Sequence, residues 1–275
     1  MAQNPLQQFF RQPKVFIGLP SAGAYLKPGS IQGDPTHMPV YGMTGMDEII
    51  LKTPDALLAG ESTVKVIESC CSNIKDAWDI SVIDMDIILA AIRIATYGNT
   101  MSVTHTCPTC STDNEYDIDL TKIIEFFATC KYNNSIALDG LTIKIRPLTY
   151  KESTDFSQRN FQIRQQLVQA NEVESDDERT KLMTGFVQDL AMLQNEIFTA
   201  GVESVEANGQ VVSERQFIKE WIENSDKVVF DKIKERYFEN QNAWTPPATE
   251  VICESCGATN KIAIDLDQSS FFGNA

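Results

Sequence analysis

Histidine is scarce in this sequence, and long apolar runs are absent. The 275 residues include only two histidines, and no apolar run approaches the length that crosses a bilayer. The N-terminal stretch Met1-Ala-Gln-Asn-Pro5 lacks the basic and apolar regions of a secretion signal. There is no glycine-rich phosphate loop and no G-x-S-x-G motif. The sequence therefore predicts a protein that is not an enzyme, does not insert into a membrane and folds in a cytoplasm.

Positive charge is also in short supply. Lysine and arginine total 23 against 38 aspartates and glutamates, which gives a formal net charge of −15. A surface of this sign repels phosphate groups and gains nothing from the release of counterions, so we expect no nucleic-acid binding. The hydrophobic share of 43% is ordinary for a soluble globular protein. The length suffices for one large domain or two smaller ones.

Two Cys-x-x-Cys turns, here called knuckles, stand far apart in the chain. Six residues recur between them at a constant offset of 253 − 107 = 146, in the pairs Cys107 and Cys253, Cys110 and Cys256, Asn114 and Asn260, Ile118 and Ile264, Asp119 and Asp265, and Leu120 and Leu266. Two thiols from each of two tight turns supply the four ligands of a tetrahedral structural zinc site. The predicted ligands are therefore Cys107, Cys110, Cys253 and Cys256.

Other uses of paired thiols stay open at this point, namely disulfides, an iron-sulfur cluster and a dithiol redox site. Neither knuckle lies in the strand-helix-strand pattern of a thioredoxin-like fold, which argues against the redox site. The cysteine total of seven is odd, and Cys70, Cys71 and Cys130 lie in apolar, helix-like surroundings. Reduced thiols with a metal suit a cytoplasmic protein better than disulfides do. His105, two residues before Cys107, is an alternative ligand.

Periodicity and turn signals predict an α+β fold that is mostly helical, with small β hairpins and a split zinc-ribbon-like module formed by the two knuckles. Asp139-Gly140 and Asn208-Gly209 each predict a hairpin turn, and the spacing of Thr149 and Glu152 is that of a capping box at a helix start. The predicted division is an extended N-terminal arm and strand (1–40), a helical block (41–100), a β-rich zinc-knuckle module (101–147 and 248–268), a helical insertion (148–247) and a C-terminal tail (269–275).

Both chain ends carry apolar residues that could dock on a partner. Leu6, Phe9 and Phe10 lie in the N-terminal arm, and Phe271 and Phe272 lie in the C-terminal tail. A frayed terminus is the alternative interpretation at each end.

Between residues 15 and 120 a series of short segments follows a recognisable order. The segments are Leu19-Pro20-Ser21-x-Gly23 with Tyr25, Met43-Thr44-x-x-Asp47-Glu48, Ile67 with Cys70, Ile83-Asp84-Met85-Asp86 through Ile92-Arg93 to Tyr97-Gly98, the Cys107 and Cys110 knuckle, and Ile118-Asp119-Leu120. In this order they resemble the baseplate hub subunit family of contractile-tailed, T-even-like bacteriophages. The resemblance is not traced through residues 150–245, and the second knuckle departs from it.

The resemblance implies a structural protein of the virion tail baseplate, assembled in the host cytoplasm. Its partners would be other baseplate and tail proteins. The resemblance is also compatible with several copies of this chain forming a homo-oligomer inside a symmetric assembly. Two alternatives remain: an assembly chaperone that is not retained in the virion, and a zinc-ribbon adaptor for nucleic acid.

Overall fold

The structure is a computed structural model that describes residues 4–53, 60–171 and 175–263, without the side chains of 169–171. The predicted tail 269–275, with Phe271 and Phe272, lies outside the described residues, as do the repeat positions 264–266. The chain divides into two compact units. The first comprises Met1–Lys131 and Trp244–Ala275, and the second comprises Tyr132–Ala243. The second unit therefore lies between the two knuckles in the sequence.

Helices predominate, as periodicity and turn signals predict. The described α-helices are α1 (Gly45–Leu51), α2 (Glu61–Cys70), α3 (Val82–Tyr97), α4 (Thr121–Thr129), α5 (Tyr150–Asn171), α6 (Asp176–Gly201), α7 (Arg215–Asn224) and α8 (Lys227–Ala243). Short 3-10 helices cover Pro5–Phe9 and Ala77–Asp79. Among the described residues, no helix combines the length and the apolarity that a membrane span requires.

Ten short strands form four small antiparallel sheets in the described chain. They are β1 (Pro13–Ile17), β2 (Met38–Tyr41), β3 (Thr100–Thr106), β4 (Asp113–Asp119), β5 (Ser135–Leu138), β6 (Leu141–Ile145), β7 (Val202–Ala207), β8 (Gln210–Val212), β9 (Thr249–Ile252) and β10 (Thr259–Ile262). Strands β1 and β2, β3 and β4, and β9 and β10 form three two-stranded sheets, and the fourth sheet has the order β5-β6-β7-β8. This is the mostly helical α+β fold with small hairpins that the sequence predicts.

Helix α3 is the centre of the first unit. Its residues are apolar on most faces, and every residue from Ile83 to Ala95 except Asp86 is buried. Asp84 is buried there too, and it accepts hydrogen bonds from the backbone N–H of Ser21 at 2.9 Å and the hydroxyl of Ser81 at 2.8 Å. Burial raises the pKa of the Asp84 carboxyl. These bonds satisfy a polar group that would otherwise be costly to bury.

The second unit is built on the four-stranded sheet. Both Asp139-Gly140 and Asn208-Gly209 have positive φ at their two residues, 48° and 80° in one and 52° and 78° in the other. Positive φ at both central residues defines the type I′ turn, whose twist matches that of the flanking strands. The two predicted hairpins are therefore confirmed.

The first of these hairpins lies in the second unit, whereas the sequence division groups it with the knuckles in 101–147. Strand β6 pairs with β7 along its length, for example Ile143 with Val205 and Leu141 with Ala207. This pairing joins the β5-β6 hairpin to a partner strand far along the chain. Local periodicity contains no information on such a distant partner, so the difference could not be read from the hairpin itself.

The core of the second unit forms where helices cover the sheet. Its buried residues are Ile136, Ile143, Ile145, Phe198, Val202, Val205, Ile218 and Ile233. The ring of Phe198 makes edge-to-face contacts with three α8 rings, those of Phe230, Tyr237 and Phe238, at centroid distances of 5.6, 5.2 and 6.0 Å. Edge-to-face pairs are the favoured arrangement of aromatic rings, so α6 and α8 are held together by more than apolar area.

The predicted capping box stands at the start of α5. The Glu152 backbone N–H donates to the Thr149 hydroxyl at 3.2 Å, and the Glu152 carboxylate accepts from the Thr149 backbone N–H at 3.0 Å. The same carboxylate accepts two bonds from the Arg146 guanidinium, at 2.7 and 2.6 Å. Burial opposes ionisation here, but these bonds lower the pKa of Glu152.

Replacing the capping hydroxyl should weaken the second unit. We expect Thr149→Ala to lower the free energy of unfolding by about 1 kcal/mol, because one N–H at the helix start loses its acceptor. Thr149→Ser keeps the hydroxyl and should stay close to the wild type. Urea unfolding followed by circular dichroism measures both variants. Equal stability of the alanine variant and the wild type would contradict the cap.

Candidate metal centre

The first knuckle joins strands β3 and β4. These strands pair without interruption from Thr100 with Asp119 to Thr106 with Asp113. The Cys107 backbone N–H then donates to the Thr112 carbonyl at 2.9 Å, and the Ser111 N–H donates to the Cys107 carbonyl at 2.8 Å. Ser111 has a φ of 58°, in the left-handed region. The chain thus turns tightly enough to bring two thiols to one side.

The second knuckle repeats this geometry between β9 and β10. The Cys253 N–H donates to the Ala258 carbonyl at 2.9 Å, and the Gly257 N–H donates to the Cys253 carbonyl at 2.9 Å. Gly257 has a φ of 72°. Each atom pair is offset by 146 positions from its counterpart in the first knuckle. The repeat in the sequence is therefore a repeat of backbone conformation.

The structure brings all four predicted cysteines together. Their Sγ atoms lie within 4.8 Å of one another and form a group that could hold a metal ion. The sulfurs pair across the knuckles: those of Cys107 and Cys256 are 3.8 Å apart, and those of Cys110 and Cys253 are 3.6 Å apart. Four sulfurs placed tetrahedrally at 2.3 Å from one ion would be about 3.8 Å apart. The donor set and its spacing fit a tetrahedral metal.

A disulfide does not account for this cluster. Both cross-knuckle distances far exceed the roughly 2.05 Å of a sulfur-sulfur bond, and all seven cysteines are free. Cys107 and Cys253 are buried, Cys110 is half-buried and Cys256 is exposed. His105, the alternative ligand, is not part of the group.

The knuckles also favour ionised sulfur at their first cysteines. Two backbone N–H groups of the first knuckle lower the pKa of Cys107. Burial opposes the shift at Cys253, but two backbone N–H groups of its own knuckle lower its pKa. At Cys256 the Ala258 N–H lowers the pKa, but the neighbouring thiols and burial outweigh it. They raise the pKa of Cys256 to about 12. In this cluster the thiols interact with one another through their protons. A metal ion would replace these protons, because it binds sulfur as the thiolate.

Two asparagines complete the cluster. Asn114 and Asn260 are buried, and each lies against the first cysteine of the opposite knuckle. The offset of 146 marks them as equivalent in the sequence, but it predicts no role for them. Their contacts with the opposite knuckle become visible only when the two hairpins are seen packed against each other.

The four cysteines form a closed set. Because four protein sulfurs occupy every tetrahedral position, no open position remains for a substrate or a reactive water. Four-sulfur sites of this kind are structural in other metalloproteins. The four sulfurs bring together the β3-β4 and β9-β10 hairpins, which α4 and the second unit separate in the sequence.

The chain belongs to a family of phage baseplate proteins. The family model described as T4 bacteriophage base plate protein matches residues 46–273, which include both knuckles and the whole second unit. The family relation therefore extends through residues 150–245, and the second knuckle lies inside the matched region. The segment Leu19-Pro20-Ser21 precedes it. The comparisons with curated proteins and with solved structures gave no match.

The left-handed turn residues offer a test of the knuckle geometry that does not involve the sulfurs. We expect Gly257→Ala to lower the free energy of unfolding by about 1 kcal/mol, because a Cβ is unfavourable at positive φ. Ser111→Gly should leave stability unchanged or raise it slightly, since Ser111 already bears that cost.

Gly45→Ala is the matched control in the same unit. A Cβ at Gly45, which begins α1, would meet nothing within 4 Å, and its φ is not positive. Urea unfolding at fixed metal content compares the three variants. A Gly257→Ala protein as stable as Gly45→Ala would contradict the described turn.

Proposed function

We propose that this chain is a structural subunit of the baseplate hub in a contractile phage tail, and that one zinc ion bound by Cys107, Cys110, Cys253 and Cys256 cross-links its first unit. The family places the protein among baseplate proteins and so implies a location in the virion tail. The observation that supports the zinc is the cluster of four sulfurs within 4.8 Å. In this role the protein acts by contacts with other tail proteins and carries out no catalysis.

Zinc suits this donor set better than the other common cations. Thiolates are soft ligands, which magnesium and calcium do not favour, and a tetrahedral set of four sulfurs is typical of structural zinc or of iron. Zinc brings no redox chemistry, and a purely structural role needs none. Iron is the alternative that elemental analysis distinguishes.

The bound ion would connect two chain segments that are remote in sequence. Strands β4 and β9 flank the whole second unit, so an ion held by both knuckles closes a very long loop. A metal site that forms only in the folded chain adds its binding free energy to the free energy of folding. Zinc at a thousand times its dissociation constant would contribute about 4 kcal/mol.

Elemental analysis of the reduced, purified chain tests the metal. We expect one zinc per chain, and we expect a strong chelator to lower the melting temperature. Cys253→Ser should lose the zinc and match the chelated wild type. Cys130→Ser changes a cysteine outside the cluster and should keep the zinc. A wild type without metal, or one that binds iron, would contradict the zinc assignment.

The N-terminal arm supports a role in protein contacts. Its 3-10 helix contains no buried residue, and Leu6, Phe9 and Phe10 are 60%, 75% and 56% exposed. Large apolar side chains gathered on one short segment are typical of interaction sites rather than of a solvated surface.

Arg11 holds the base of this arm in place. Its guanidinium donates to the Gly42 carbonyl at 2.7 Å, to the Ser69 carbonyl at 2.6 Å and to the Ser69 hydroxyl at 2.9 Å. It also pairs with the buried carboxylate of Asp47 at 3.4 Å. The arm is therefore attached to the folded unit while its apolar side chains stay uncovered, an arrangement suited to docking on another subunit.

Mass spectrometry of purified virions separates a hub subunit from an assembly chaperone. We expect the chain to be present in the tail, and its absence from the particle would favour the chaperone. The triple variant Leu6→Ser, Phe9→Ser, Phe10→Ser should reduce incorporation at least about tenfold, since loss of a few anchors of about 2 kcal/mol each is decisive for an interface.

Phe161→Ser is the control, because Phe161 is exposed to a similar extent on α5 in the second unit. Both proteins should keep the wild-type melting temperature, since none of these side chains is buried. Normal incorporation of the triple variant would exclude the arm as the docking element without excluding the hub.

A further inference from the structure

We propose that Asn114 and Asn260 are positioning residues for the metal, each donating its side-chain N–H to the first cysteine sulfur of the opposite knuckle. The inference rests on the proposed metal binding and assigns a role that the four ligands alone do not provide. The two amides would lock the knuckles face to face and offset the charge that collects on the buried sulfurs.

Asn114 shows the arrangement in full. Its Nδ2 donates to the Thr112 carbonyl at 2.9 Å, and its Oδ1 accepts from the Glu254 backbone N–H at 3.1 Å. The Cys253 sulfur lies 3.5 Å from Nδ2 and 3.6 Å from Oδ1. A thiol can use either atom, but a thiolate has no proton to give. When Cys253 binds a metal as a thiolate, only the contact with the Asn114 N–H would be attractive.

Asn260 occupies the equivalent place with one partner fewer. Its Oδ1 lies 3.9 Å from the Cys107 sulfur, and its buried Nδ2 has no hydrogen-bond partner within the described part of the chain. The Asn114 oxygen accepts its hydrogen bond from the backbone N–H of Glu254. The residue at the equivalent position of the first knuckle, 146 positions earlier, is Pro108. Proline has no N–H, so the position equivalent to Glu254 provides no backbone donor to the Asn260 oxygen.

The missing donor leaves the Asn260 amide able to turn. A rotation of 180° exchanges its oxygen and nitrogen positions and presents Nδ2 to the Cys107 sulfur. An oxygen facing a thiolate is repulsive, whereas an N–H facing it is attractive. A Cys107 thiolate bound to a metal would therefore favour the turned amide, which also gives the Nδ2 atom an acceptor.

The charge of the cluster explains why such donors are needed. Four thiolates around a divalent ion carry a net charge of −2, and Cys107 and Cys253 are the buried members of the set. Burying excess negative charge is costly unless donors surround it, and groups that hydrogen-bond to ligands commonly tune metal affinity. The backbone N–H groups of each knuckle supply some donors, and the asparagines supply one more from the opposite knuckle.

Zinc affinity of the full-length chain, measured by competition with a chromophoric chelator, tests this role. We expect Asn114→Leu and Asn260→Leu to raise the zinc dissociation constant about 10- to 100-fold, the usual effect of losing a partner of a metal ligand. Asn99→Leu alters an exposed asparagine of the same unit and should change the constant less than about threefold. If a leucine variant fails to fold, Asn114→Asp or Asn260→Asp replaces it, keeping the size but removing the donor.

Cobalt substitution supplies a readout that a purely packing role would not change. Loss of an N–H bond makes a thiolate a stronger electron donor, so the sulfur-to-cobalt charge-transfer band should move to longer wavelength while the tetrahedral ligand-field bands persist. If the wild type binds zinc but the asparagine variants share its affinity and its cobalt spectrum, the inference is wrong. A change at Asn114 without any at Asn260 would overturn the reciprocal arrangement. A wild type that binds no metal would instead refute the proposed zinc site.

Discussion

The crossed contact between the two cysteine knuckles brings together two hairpins of the first unit that are remote in the sequence. Cys107 faces Cys256 and Cys110 faces Cys253, although the second unit separates the pairs in the sequence. Neither hairpin is large enough to be stable by itself, since two strands bury little apolar area. The contact between their sulfurs joins the two hairpins into one module. An ion bound there would make that union a large part of the folding free energy.

The second unit lies between the two knuckles in the sequence and forms a separate compact body. An insertion is tolerated where its two ends lie close together, because the entropy of closing a loop grows only slowly with loop length. The second unit has its own sheet and its own core around Phe198. The family match across residues 46–273 indicates that both units belong to the same baseplate protein.

Features fixed by neighbouring residues could be predicted from the sequence, and features fixed by distant pairing could not. The turns at Asp139-Gly140 and Asn208-Gly209 and the cap at Thr149 follow from local backbone chemistry. The four cysteines were predictable because their repeat at an offset of 146 is a signal in itself. The pairing of β6 with β7 and the reach of each asparagine across the cluster depend on how remote segments face each other, which no local pattern encodes.

X-ray absorption at the zinc edge of the purified, reduced protein identifies the atoms bound to the metal. We expect a first shell of four sulfur atoms at about 2.3 Å and no nitrogen or oxygen ligand. A shell of mixed nitrogen and oxygen ligands, or the absence of zinc from a folded protein, would contradict the proposed four-cysteine zinc site.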